Sequence, residues 1–163
     1  MNRQNVVEAL SNGLRRERIA YKIFGIVALV LAVIIIVAGI VGVVAGGFIT
    51  GVESEAANEI YSYNENGIDI EITDGDIAAV TGIGVAFFSG FYLGFGFSLL
   101  AIAIVNLVLA AKVGKCRLSD EATIRHAGSV GSIILAAFFN EIALIFVIFN
   151  FVKAKKHRVL LAG

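Results

Sequence analysis

Two apolar runs, residues 23–50 and 78–113, decide what this chain can fold into. The first is twenty-eight residues without a charge. A helix of that length, rising about 1.5 Å per residue, crosses a hydrocarbon core of about 30 Å with residues to spare. The second run would reach about 54 Å as a helix, so it tilts or projects from the bilayer. We place the excess at its residue-78 end. Backbone inside lipid must satisfy its own hydrogen bonds, and a single segment does so only as a helix. The expected fold class is therefore an all-α integral membrane protein.

Both runs carry small residues at helical spacing. In the first, Gly25, Ala32, Gly39 and Gly46 recur every seven residues, with Ala28 and Gly42 on the same side, and Ala38, Gly42 and Gly46 form a small-xxx-small row. In the second, Ala78, Gly82, Ala86, Gly90, Gly94 and Ser98 recur every four, between bulky Phe87, Phe88, Phe91, Tyr92, Phe95 and Phe97. Residues four apart on a helix lie one above the other, so such a row cuts a shallow groove. Grooves of this kind let membrane helices approach closely enough for dispersion contacts to hold them. The expected helix-packing positions are Gly39, Gly42, Gly46, Gly82, Ala86, Gly90, Gly94 and Ser98.

Composition narrows the function classes. The apolar fraction is 58%, and the net charge is zero, which gives nucleic acid no electrostatic footing. The chain has no Pro, hence no proline kinks. Its single cysteine, Cys116, lies among Lys112, Lys115 and Arg117, as suits a reducing cytoplasmic face. The two histidines, His126 and His157, lack paired-ligand spacing, so no metal site is expected. No phosphate-cradling Gly-rich loop follows a soluble strand, and no nucleophile elbow is present. We assign no catalytic residue, no cofactor and no enzymatic activity.

Around the runs the chain divides by charge. Residues 1–22 hold Arg3, Arg15, Arg16, Arg18 and Lys22, while Val6, Val7, Leu10 and Leu14 fall at helical spacing. That predicts either a cytoplasmic amphipathic helix on the membrane surface or a solvated tail. Residues 51–77 hold Glu53, Glu55, Glu59, Glu65, Asp69, Glu71, Asp74 and Asp76 with no Lys or Arg. Within them Ile68, Ile70 and Ile72 alternate with acids, and Asn66-Gly67 sits between two short runs, which reads as a β-hairpin in an acidic extracytoplasmic loop. The carboxylates do not match an EF-hand loop, because the glycine at Gly75 is misplaced. Residues 114–126 form a basic cytoplasmic connection, in which Ser119, Asp120 and Glu121 predict the start of a third helix. Residues 127–152 form the third membrane segment, and 153–163 a tail with Lys153, Lys155, Lys156 and Arg158.

The third segment has two readings. As one span it gives three transmembrane helices and leaves the basic tail outside. As a hairpin turning at Asn140-Glu141 it gives four spans, or three with a re-entrant piece, and keeps all thirteen Lys and Arg inside, as the positive-inside rule favours. Its arms, about 16 to 20 Å long, are short for full crossings. Glu141 is the one ionisable side chain deep in an apolar run, so Glu141 with Asn140 is a candidate intramembrane ion or proton site, with Asn106 or Asn150 as neighbours. The expected function is that of a small structural or assembly subunit of the cell membrane, multi-pass with a cytoplasmic N-terminus. Its expected partners are membrane lipid and copies of itself or other membrane subunits. An ion or proton channel or transporter component using Glu141, and a virion or shell membrane component, are the alternatives.

Overall fold

The computed structural model describes residues 2–56, 60–65 and 68–161, and their side chains outside 49–75 and 78. Helix α1 (Arg3–Ala56) leads into strands β1 (Ile60–Glu65) and β2 (Ile68–Thr73), followed by α2 (Asp74–Cys116). Four shorter helices complete the chain: α3 (Asp120–Ala127), α4 (Val130–Phe139), α5 (Glu141–Lys156) and α6 (Arg158–Leu161). The two strands pair antiparallel with Ile60 opposite Thr73 and Tyr63 opposite Ile70. The Asn66-Gly67 connection and the side chains of the acidic segment lie outside the described residues. Among the described residues, apart from that strand pair, the architecture is helical.

Among the described residues α1 and α2 are long and apolar enough to cross a membrane, and α3 with α4, bent by 65°, makes a third if the two count as one span. Both long helices expose their bulky side chains: Val33, Ile40, Phe48, Phe87 and Phe91 are each more than half exposed. In water such a surface would cost about 25 cal/mol per Å² of apolar area, whereas acyl chains solvate it. Helices of this length and apolarity are compatible with a multi-pass membrane protein.

The fold divides into two compact units, residues 31–98 and residues 1–30 with 99–163. In the first, α1 and α2 run antiparallel along a seam of small residues. A Cβ added at Gly46 would meet the Gly82 carbonyl oxygen at 3.1 Å and the Ala86 nitrogen at 3.3 Å. One at Gly39 would meet Leu93 Cγ at 2.8 Å, and one at Gly96 would meet Ile36 Cγ1 at 2.6 Å. At Gly42 it would run into the Ser89 hydroxyl, so that position takes no side chain without a shift.

On α2 the buried seam positions are Gly82, Ser89 and Gly96, which step by seven. This corrects the expected four-residue row. Gly82 and Ala86 meet α1, but Gly90, Gly94 and Ser98 are exposed, and nothing lies within 4 Å of where a Cβ at Gly90 or Gly94 would stand. A four-residue step overshoots a full turn by about 40°, so the row winds off the contact after two members. A seven-residue step falls short of two turns by only about 20°, which a slight left-handed supercoil removes. The seven-residue series on α1, with Gly39 and Gly46, is the one that faces its partner.

The second unit is built on the first turns of α1. In the expected segment 1–22, residues 3–22 are neither a tail nor a separate surface helix, because they are the first turns of α1 and bury Val6, Leu10, Leu14 and Tyr21. These pack with Val113 of α2, Ala127 of α3, Ala136 of α4, and Ala143 and Val147 of α5. Here too α2 faces α1 with small residues: Ala103 and Ala110 are buried, and a Cβ at Gly25 would meet the Ala103 carbonyl oxygen at 3.2 Å.

Residues 127–152 are not one helix. α4 ends at Asn140, whose backbone is extended (φ −164, ψ 96), and α5 then packs back against α4 and α3. Ile124 and Gly128, at the end of α3, share one cleft with Ala154 and Lys155, at the end of α5, and with Arg158, the first residue of α6. The segment is therefore a helical hairpin with its apex at Asn140.

Candidate functional site

The polar groups of the second unit gather at the places where its helices break. Ser119 caps α3, its hydroxyl accepting from the Ala122 N–H at 3.5 Å. The Thr123 hydroxyl donates to the Cys116 carbonyl at 3.0 Å, closing the last turn of α2 against α3. At the apex, the Asn140 side-chain oxygen accepts from the Ala143 N–H at 2.9 Å, while its amide nitrogen donates to Asn106 Oδ1 at 2.9 Å and approaches the Ala20 carbonyl at 3.4 Å. The Asn106 amide in turn donates to the Phe139 carbonyl at 3.1 Å and the Ile102 carbonyl at 2.9 Å. Each helix terminus leaves backbone groups without intrahelical partners, and buried ones must be satisfied. Two amides from distant parts of the chain do that here, which is how a turn without Gly or Pro is held.

The second cluster contains the buried charge. Glu17 is 1% exposed, on the same α1 face as Leu14 and Tyr21. Its Oε1 lies 2.9 Å from His126 Nε2, at the end of α3, and its Oε2 accepts from the Asn150 amide of α5 at 3.3 Å. His126 Nδ1 lies 3.5 Å from the Ser132 hydroxyl of α4. With Glu17 as a carboxylate, His126 carries its proton on Nε2 and donates it. One buried carboxylate thus ties α1 directly to α3 and α5 and, through His126 and Ser132, to α4. Beside it, burial and then the Glu17 charge push the Tyr21 phenol above its usual pKa. Asn150 fits because position 13 is glycine: a Cβ there would overlap the Asn150 side-chain oxygen.

The expected ion site is taken apart by this arrangement. Asn140 is buried, but with Asn106 and the Ala20 carbonyl. Glu141 is exposed in the first turn of α5, where a carboxylate is favoured by the helix dipole. Asn150 pairs with Glu17. Among the described residues, then, the enclosed carboxylate is Glu17 rather than Glu141. A legible signal existed for it, since Glu17 falls in the Leu10–Leu14–Tyr21 stripe, where an acid on an apolar face needs a partner. His126 gave no such signal. Among the described residues no group of three or more His, Cys, Asp and Glu converges as metal ligands.

Compared with known proteins, the chain matches no family model, no curated protein and no solved structure.

Proposed function

We propose that this chain is a structural or assembly subunit of the cell membrane, lying with its N-terminus in the cytoplasm and associating through α2 with copies of itself or other membrane subunits. The observation that carries the reading is the open row at Gly90 and Gly94. Within the chain, glycines such as Gly42 and Gly46 are covered by the partner helix, whereas Gly90 and Gly94 have open space where a Cβ would stand. In sequence Gly90 lies between Phe87 and Phe91 and Gly94 between Phe91 and Phe95, and these aromatics are 73%, 69% and 51% exposed. A notch with aromatic walls suits a further helix at close range.

Orientation follows from charge. The hairpin at Asn140 returns the basic tail to α3, so all thirteen Lys and Arg fall at one end, the cytoplasmic one. The acidic segment 51–77, with its strand pair as a β-hairpin, then faces the opposite compartment. The C-terminal hairpin is a shallow re-entrant element, since its apex meets the Ala20 carbonyl just before the run 23–50. The reading involves no catalysis, cofactor or nucleic acid. Gly90→Leu combined with Gly94→Leu is expected to convert an oligomer to monomers in mild detergent, read by light scattering behind a sizing column. A wild-type chain that is already monomeric, or a double variant of unchanged mass, would overturn it.

A further inference from the structure

Between the N-terminal turns of α1 and the last turns of α5 lies an open cleft of about 680 Å³. Its walls change character along their length. Along α5, Phe146, Phe149 and Val152 form the part nearer the Asn140 apex and Lys153, Lys156 and His157 the far part, while α1 contributes Arg16 from between Gly13, which meets Asn150, and Ala20, which meets Asn140. No Asp or Glu lines it, and the carboxylate behind its Asn150 wall, Glu17, is turned to His126 and Asn150. Among the described residues, none of Arg16, Lys153 and Lys156 makes an ion pair. Phe149 and Val152 are 71% and 56% exposed, so the apolar wall is uncovered as well.

We infer that this cleft holds an anionic phospholipid, its phosphate headgroup among Arg16, Lys153 and Lys156 and an acyl chain along Phe146, Phe149 and Val152. The gradient sets the direction. The apex of the hairpin touches the Ala20 carbonyl, three residues before the apolar run of α1, so the apolar wall of α5 is the end nearer the hydrocarbon, its two lysines are farther out, and Arg16 reaches the cleft from α1. A phosphodiester anchored by cations, with its tails leading into the bilayer, has that same order of polarity. A free phosphate would use the cations alone and leave the aromatic wall without a role. Neutral headgroups would gain nothing from three unpaired cations, so charge complementarity selects the acidic class. The inference rests on the membrane reading but not on self-association.

The test is native mass spectrometry of the full chain in detergent, titrated separately with a phosphatidylglycerol, a phosphatidylcholine and inorganic phosphate. Phosphatidylglycerol is expected to be retained well above phosphatidylcholine, and phosphate not at all. Lys153→Gln with Lys156→Gln should weaken phosphatidylglycerol binding about 30-fold, taking two cations near a lipid surface. Lys155→Gln with Arg158→Gln removes the same charge from the same tail outside the cleft, and should cost less than about threefold. Phe149→Ala should weaken the lipid without altering the preference for its charge. Equal retention of the two lipids by the wild-type chain, retention of phosphate as firm as that of lipid, or equal losses in the two charge pairs would overturn the assignment. The wild-type comparison needs no variant to fold. The same spectra report subunit number, so a monomer that retains phosphatidylglycerol would refute the assembly reading and leave this one standing.

Discussion

Replacing Gly13 by alanine sets local helix preference against one tertiary contact. Gly13 lies inside α1, where alanine is ordinarily more stable than glycine by about 1 kcal/mol. Here the added Cβ would overlap the Asn150 side-chain oxygen and stand 2.8 Å from its Cγ. Asn150 is 4% exposed and packed at the α1–α5 contact, so the Cβ has to displace a settled side chain. Forcing it aside costs about 1–3 kcal/mol in strain. It also takes the amide from Glu17 Oε2, and a buried oxygen left short of a donor costs about 1–3 kcal/mol more. Against the helix gain the net is a destabilisation of about 1–5 kcal/mol. In an Asn150→Ala background the obstruction is gone, so the same change should stabilise by about 1 kcal/mol. Thermal unfolding of the four proteins in detergent, followed by far-ultraviolet circular dichroism, gives the cycle. Gly84→Ala is the reference, because nothing lies within 4 Å of its added Cβ. If Gly13→Ala raises the melting temperature in both backgrounds, the placement of Asn150 against α1 is wrong.

Two further outcomes follow from the same contacts. Glu17→Ala strips both His126 and Asn150 of their acceptor and should cost about 3 kcal/mol, whereas Glu17→Gln keeps one acceptor and should cost distinctly less; equal melting temperatures for the two variants would show that the carboxylate's contacts do not hold the junction. Gly96→Leu must push into Ile36 across the α1–α2 seam and should destabilise the monomer by about 2 kcal/mol, while Gly90→Leu meets open space and should leave monomer unfolding unchanged; comparable losses in both would refute the seven-residue seam.

The long helices were legible because their cause is local. A run of apolar residues longer than a bilayer is thick leaves no other way to satisfy its backbone, and Ser119 before Asp120 and Glu121 marks a helix start wherever the chain goes next. The seven-residue series of Gly39 and Gly46 was legible too. The four-residue row of α2 misled, since its members repeat faithfully in sequence yet rotate away from α1 after Ala86. Which row is covered depends on the twist of two helices about each other, and that belongs to neither sequence alone.

The chemistry of the junction was hidden for a different reason. Glu17 and His126 are separated by 109 residues and Glu17 and Asn150 by 133, so no spacing announces them. The hairpin apex carries neither Gly nor Pro. Asn140 can turn the chain only because Asn106, from another helix, takes up the Phe139 carbonyl that the break leaves free. Hydropathy and charge by themselves determined that this chain holds helices long and apolar enough to cross a membrane and where its charged segments begin and end. Tertiary structure alone decided which carboxylate is enclosed and that the last segment doubles back. A buried polar group is stable only beside its partner, and partners this distant meet only once the helices have packed.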